Sequence, residues 1–158
     1  MKTSPLFVAL AILSIACQNT GKSSETETNS STQSPIEGNW ELVENRVNGK
    51  VVKPKRPQQF KVYHDGFYSF IMYKPDGSFY MTAAGPYSLN GNQYKETVRY
   101  CSDTTLVGTS DWQEWKLDGD TLIFSGFKKV TDPTGKDVTK KWGGDHFVEK
   151  RVRARFEQ

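Results

Sequence analysis

Asn90-Gly91-Asn92-Gln93-Tyr94-Lys95-Glu96-Thr97-Val98-Arg99-Tyr100-Cys101 is the stretch that decides the architecture of this chain. It opens on a dipeptide that readily takes the positive dihedrals of a tight hairpin and runs on with strand composition. Side chains alternate across a strand, so Tyr94, Glu96, Val98 and Tyr100 share one face while Gln93, Lys95, Thr97 and Arg99 share the other. The first set is the interior one. A strand with one apolar face behind a two-residue turn belongs to an antiparallel sheet that packs on one side and meets water on the other.

The same punctuation recurs outward from this segment. Asn48-Gly49, Asp65-Gly66, Asp76-Gly77 and Asp118-Gly119 are further hairpin signals. Between the turns lie runs with strand character at 40–46, 59–64, 67–74, 78–84, 93–101, 111–117, 121–128 and 146–156. No long stretch has a 3.6-residue period. The expectation is an all-β domain over residues 36–158: a single antiparallel up-and-down barrel of about eight strands, whose closure removes the exposed edges. A β-sandwich is the second architecture.

Glu96 stands out on the apolar face between Tyr94 and Val98. An isolated charge in low dielectric is too costly to persist, so this carboxylate requires a cationic or hydrogen-bonding partner. It is either part of an internal network or a polar anchor in a ligand cavity. In the run 67–73, Phe67, Ser69, Ile71 and Tyr73 oppose Tyr68, Phe70 and Met72, and alternation does not say which set faces inward. At the end of the chain, Arg151, Arg153 and Arg155 alternate with Val152, Ala154 and Phe156, which reads as a row of guanidinium groups facing solvent or lipid headgroups.

The amino terminus has a different character. Lys2 precedes the apolar run Leu6 to Leu13, which ends in Ser14-Ile15-Ala16-Cys17. A positive end, a short apolar core and small residues before the cut are the marks of a secretory signal peptide. With cysteine directly after them, the segment resembles the lipobox of bacterial lipoproteins. That resemblance implies removal of residues 1–16, lipidation and N-acylation of Cys17, and membrane attachment through that lipid. Residues 18–35 carry Gln, Asn, Thr, Ser, Gly, Lys and Glu and no aromatic or aliphatic side chain, so 17–35 reads as the lipidated cysteine and a disordered linker. Gln18 after the cysteine, in place of Asp, points by analogy with lipoprotein sorting to the outer membrane.

Gly38-Asn39-Trp40 opens the first strand and resembles the Gly-x-Trp motif of lipocalins and the wider calycin group. In that group the tryptophan closes one end of the barrel beneath a basic residue of the last strand. Arg151 and Arg153 are the candidates for that residue. The segments 38–43, 66–70, 85–89, 94–100 and 116–122 are also similar to bacterial lipocalin-like lipoprotein domains. In the closing strand, Glu149 and Arg153 match the family's Glu-x-Trp-x-Arg pattern, while Arg151 stands where its tryptophan would be. The resemblance implies an eight-stranded barrel able to enclose a small apolar molecule.

The formal charge of +3 over 158 residues is a near balance that gives no support to nucleic-acid binding. Two histidines, His64 and His146, and the absence of His-x-x-x-His, Cys-x-x-Cys and Gly-x-Ser-x-Gly patterns suggest neither an enzyme nor a metal site, and no cofactor is expected. If Cys17 is acylated, Cys101 has no intrachain partner. Two functions remain open. One is a binding module for a small hydrophobic or aromatic molecule in the bacterial cell envelope, with Trp40, Tyr87, Tyr94, Glu96, Tyr100 and Trp115 as the candidate lining. The other is an envelope interaction module whose barrel is filled by its own side chains, since eight strands permit either interior.

Overall fold

The computed structural model describes residues 34–47, 49–54 and 58–155. The leader, Cys17 and almost all of the 17–35 linker lie outside the described residues, as does most of the Pro54-Lys55-Arg56-Pro57 loop. Ten strands follow: β1 (Gly38–Val47), β2 (Lys50–Val52), β3 (Gln59–His64), β4 (Phe67–Tyr73), β5 (Phe79–Asn90), β6 (Gln93–Thr97), β7 (Tyr100–Cys101), β8 (Ser110–Asp118), β9 (Thr121–Thr131) and β10 (Val148–Arg153). The ladder runs β10-β9-β8-β6-β5-β4-β3-β1, and β1 also pairs with β10, so eight antiparallel strands form a closed barrel. The short β2 extends the end of β1, and β7 pairs with β5.

Two strands depart furthest from expectation. The strand expected over 78–84 runs on to Asn90, carrying Gly85 to Leu89 into the barrel wall. The strand expected over 93–101 breaks after Thr97, because the Val98 amide donates to Thr109 O at 2.8 Å and the Arg99 amide to Ala84 O at 2.9 Å. The chain therefore leaves β8 and crosses onto β5. Gly85 lies under that crossing: a Cβ there would collide with the Thr97 carbonyl oxygen and lie 2.9 Å from the Arg99 nitrogen. Only glycine lets the backbones approach so closely.

On β4 the inward set is Tyr68, Phe70 and Met72, while Phe67 and Tyr73 are exposed. The hairpin turns at Asp65-Gly66, Gly91-Asn92 and Gly119-Asp120 gather at one end of the barrel with Ile36 and Trp40. Ile36, Trp40, Tyr63, Tyr68, Tyr87, Tyr94, Leu122 and Phe124 form the core that fills this closed end. The β4–β5 turn, the 98–109 connection and the 132–147 connection, with its 3₁₀ turns at Thr139–Trp142 and Gly144–His146, surround the other end.

Candidate functional site

The closed end is sealed by Trp40, whose indole is fully buried and donates from Nε1 to Ile36 O at 2.7 Å. Trp40 and Arg153 are paired across β1 and β10, and the Arg153 guanidinium carbon lies 4.0 Å from the centre of the indole ring, within cation–π range. Arg153 Nη1 also donates to Glu37 O. Gly38 explains the remaining position of the Gly-x-Trp motif. Its φ of +118° suits glycine, and a Cβ there would collide with Arg153 Nη1.

Above this seal the rings pack on one another. Tyr63 meets Tyr87 at 5.1 Å, Tyr94 at 6.1 Å and Phe124 at 6.3 Å between centroids. Lys61 forms the border with the other half of the barrel. Its ammonium lies 4.6 Å from the Tyr68 ring centre and bonds Glu96 Oε2 at 2.5 Å. Tyr94 OH donates to the same oxygen. Glu96 therefore has both kinds of partner that its place on an apolar face requires.

Beyond Lys61 the barrel is hollow, with a cavity of about 290 Å³ at the open end. Its apolar wall is Phe70, Met72, Met81, Phe127, Trp142 and Phe147. A bulge turns Phe127 inward: Gly126 adopts φ +61°, and the β8–β9 register shifts so that Gln113 faces Phe127. Phe147 stacks on Phe127 at 4.3 Å and Trp142 meets it edge-on at 5.7 Å, so the 132–147 connection supplies part of the wall.

The floor of the cavity is charged. Lys61 and Glu96 are joined there by Asp111 and Gln113 of β8, by Glu149 and Arg151 of β10, and by Gln59 of β3. Arg151 is 1% exposed; its Nη2 donates to Glu149 Oε2 at 2.5 Å and to Gln59 Oε1. Gln113 Nε2 donates to Asp111 Oδ1 at 2.7 Å. Arg151 Nε and Nη1, Gln113 Oε1 and Asn45 Oδ1 are buried polar atoms with no hydrogen-bond partner among the described residues, and all three side chains line the cavity.

Burial and charge set the protonation of this floor. Desolvation first, then the Glu96 carboxylate, raise the Asp111 carboxyl well above the usual range; the Gln113 bond and Lys61 oppose this only in part. Burial alone would pull the Lys61 ammonium down, but Glu96 and lesser neighbours override it and hold the pKa raised. Desolvation pushes the Tyr63 phenol up to about 12 and raises Tyr94 well above its ordinary value.

The expected lining is largely corrected by this arrangement. Of the six residues, Glu96 alone lines the cavity. Trp40, Tyr87 and Tyr94 belong to the packed closed end, where their rings fill the space a ligand would need. Trp115 is half-buried beside that core and donates from Nε1 to Gly91 O at 3.0 Å. Tyr100 is 65% exposed, since the break after Thr97 places it outside the barrel wall. The arginine row is corrected as well: Arg151 points inward while Arg153 caps Trp40. His64 and His146 are both exposed.

Lys61, Gln59, Asp111, Gln113 and the inward Arg151 are the site residues that pattern reading misses. The signal for Arg151 lies in the Trp40 contact, because an Arg153 against an interior tryptophan places Arg151 and Glu149 on the inner face by parity.

No protein-family model matches this chain, and no curated protein matches it. Solved structures do share its fold. The chain is similar to a lipocalin-like protein from Bacteroides uniformis, with a TM-score of 0.50 and 17% identity over 75% of this chain and 98% of the other. An uncharacterized protein from Bacteroides eggerthii aligns over the same shares at 13% identity with a TM-score of 0.49. At such identity the likeness concerns the backbone, and the chain has the closed eight-stranded barrel of a lipocalin-like fold.

Proposed function

We propose that this chain is a lipid-anchored lipocalin-like protein of the bacterial cell envelope that binds a small molecule in the open half of its barrel and is not an enzyme. The observation that carries the reading is the cavity of about 290 Å³, with aromatic and methionine walls over a floor of buried charged groups. Apolar walls with a few placed polar groups are the usual composition of a small-molecule site, and the volume lies at the lower end of the roughly 300–1,000 Å³ such sites occupy. The ligand is therefore small, with an apolar body against Phe127, Trp142 and Phe147 and a polar group directed at the floor. The lipobox-like segment supports attachment through Cys17, and Gln18 supports delivery to the outer membrane.

Native mass spectrometry of the protein extracted from envelopes under mild conditions, followed by solvent release of any adduct, tests the binding role. A stoichiometric adduct that Met81→Trp abolishes without unfolding the barrel is the expected result. A clean apo mass with no uptake of apolar or aromatic probes would assign the work to the outer surface instead. The anchor is tested separately: Cys17→Ala should move the protein from the membrane fraction to the soluble one.

A further inference from the structure

We infer that the ligand of this cavity is a small aromatic or aliphatic amine, bound as its ammonium ion beside Asp111. The inference rests on the reading of the cavity as a ligand site and adds the charge of the ligand to it. Three carboxylates, Glu96, Asp111 and Glu149, line the floor against two cations, Lys61 and Arg151. Both cations are committed. Lys61 bonds Glu96 at 2.5 Å and Arg151 bonds Glu149 at 2.5 Å. Asp111 bonds the neutral amide of Gln113 and stands directly across the β6–β8 ladder from Glu96, a like charge. It is the one carboxylate of the floor without a cation at hydrogen-bond distance among the described residues.

A buried carboxylate in that position either keeps its proton or takes up a cation. The surroundings suit the second course. An ammonium needs acceptors for its N–H groups, and the cavity offers the Asp111 carboxylate together with Gln113 Oε1 and Asn45 Oδ1, two buried acceptors with no partner of their own. The rings of Phe70, Phe127, Trp142 and Phe147 line the cavity and pack against an apolar body.

The rival ligand is an anion seated on Arg151 Nε and Nη1, which are also without partners. The charges argue against it. Glu149 already neutralises Arg151 and Glu96 neutralises Lys61, so with Asp111 protonated an anion would add a third negative group against two positive ones, whereas an ammonium that displaces the Asp111 proton leaves the floor neutral.

In the ligand-free barrel burial and Glu96 keep the Asp111 proton in place. When the ammonium arrives, the Asp111 O–H bond breaks, its proton leaves to bulk water and the electron pair stays on the carboxylate, which pairs with the ligand. The other groups acting on Asp111 are Glu96 and Tyr94 of β6, Lys61 of β3, Tyr68 of β4 and Glu149 of β10, with Arg151 on the same floor. Both tyrosines are raised further above neutrality and stay uncharged while Asp111 titrates.

Isothermal titration calorimetry of the full-length protein in mild detergent, with three probes that share one phenyl ring, tests this. The probes are 2-phenylethylamine, 3-phenylpropan-1-ol and 3-phenylpropanoate. The amine should bind at least about tenfold more tightly than the alcohol. Its heat should vary with the ionisation enthalpy of the buffer in the sense of proton release. Asp111→Asn should bring the amine to the level of the alcohol. Should that variant not fold, the amine-to-alcohol ratio and the proton release of the unaltered protein decide the matter. Tightest binding of the carboxylate, or equal binding of amine and alcohol, would overturn the amine and leave the cavity as a binding site. Failure of all three probes to bind would overturn the cavity reading and the amine with it.

Discussion

The two ends of this barrel are built from the same alternating strands and use their inward positions in opposite ways. At the closed end they carry rings: Trp40, Tyr63, Tyr87, Tyr94 and Phe124 pack on one another and leave no room. At the open end β3, β8 and β10 direct Gln59, Lys61, Asp111, Gln113, Glu149 and Arg151 into a cavity. Folding is served by the first arrangement, since burying rings is favourable and burying charges is costly even when they are paired. The charged half is therefore where a selective demand other than stability is to be found. Lys61 is the hinge of the comparison: its ammonium lies over the Tyr68 ring of the closed end while its partner Glu96 faces the cavity.

If the closed end carries the stability, Trp40→Ala should give the largest loss, about 3–5 kcal/mol by urea denaturation, the usual cost of emptying a buried tryptophan site. A loss under about 1 kcal/mol would erase the contrast between the ends. Next in size is Glu96→Gln, which leaves the Lys61 ammonium without its carboxylate and should cost about 3 kcal/mol. Lys61→Met added to it should recover most of that loss in a double-mutant cycle, because the buried charge is then gone too.

Asp111→Asn should be the mildest, and its signature is a pH dependence. The Asp111 pKa is raised in the folded protein, so the native state keeps a proton that the unfolded chain releases at about pH 4. Stability contributed by that proton is complete below about pH 4 and is lost as pH rises toward the raised folded value. Chemical denaturation from about pH 4 to 8 should show the unaltered protein weakening relative to Asp111→Asn. Parallel pH profiles would contradict the assignment.

Much of the closed end is legible in the sequence and little of the open end is. Tyr94 and Glu96 fall on the inner face because β6 alternates cleanly, and Trp40 announces itself through Gly38, whose missing side chain makes room for Arg153. On β3 the pattern misleads. Phe60 and Val62 look like the core-facing pair, yet Gln59, Lys61 and Tyr63 are the buried ones. On β10 Val152 competes in the same way with Arg151. Alternation locates apolar residues, so strands that direct polar residues inward invert its message. Tyr100 fails for another reason: parity holds only along an unbroken strand, and the chain changes partners after Thr97.

The tryptophans and methionines provide reporters for both ends in one experiment. Trp142, Met72 and Met81 line the cavity, while Trp40 lies in the closed core and Trp115 beside it. Two-dimensional NMR of indole N–H and methionine methyl groups, recorded while an apolar probe such as 3-phenylpropan-1-ol is titrated in, tests the central claim most directly. The account predicts that the Trp142, Met72 and Met81 signals move with one saturating affinity while Trp40 stays fixed. Movement of Trp40 with the Trp142, Met72 and Met81 signals unchanged would contradict it.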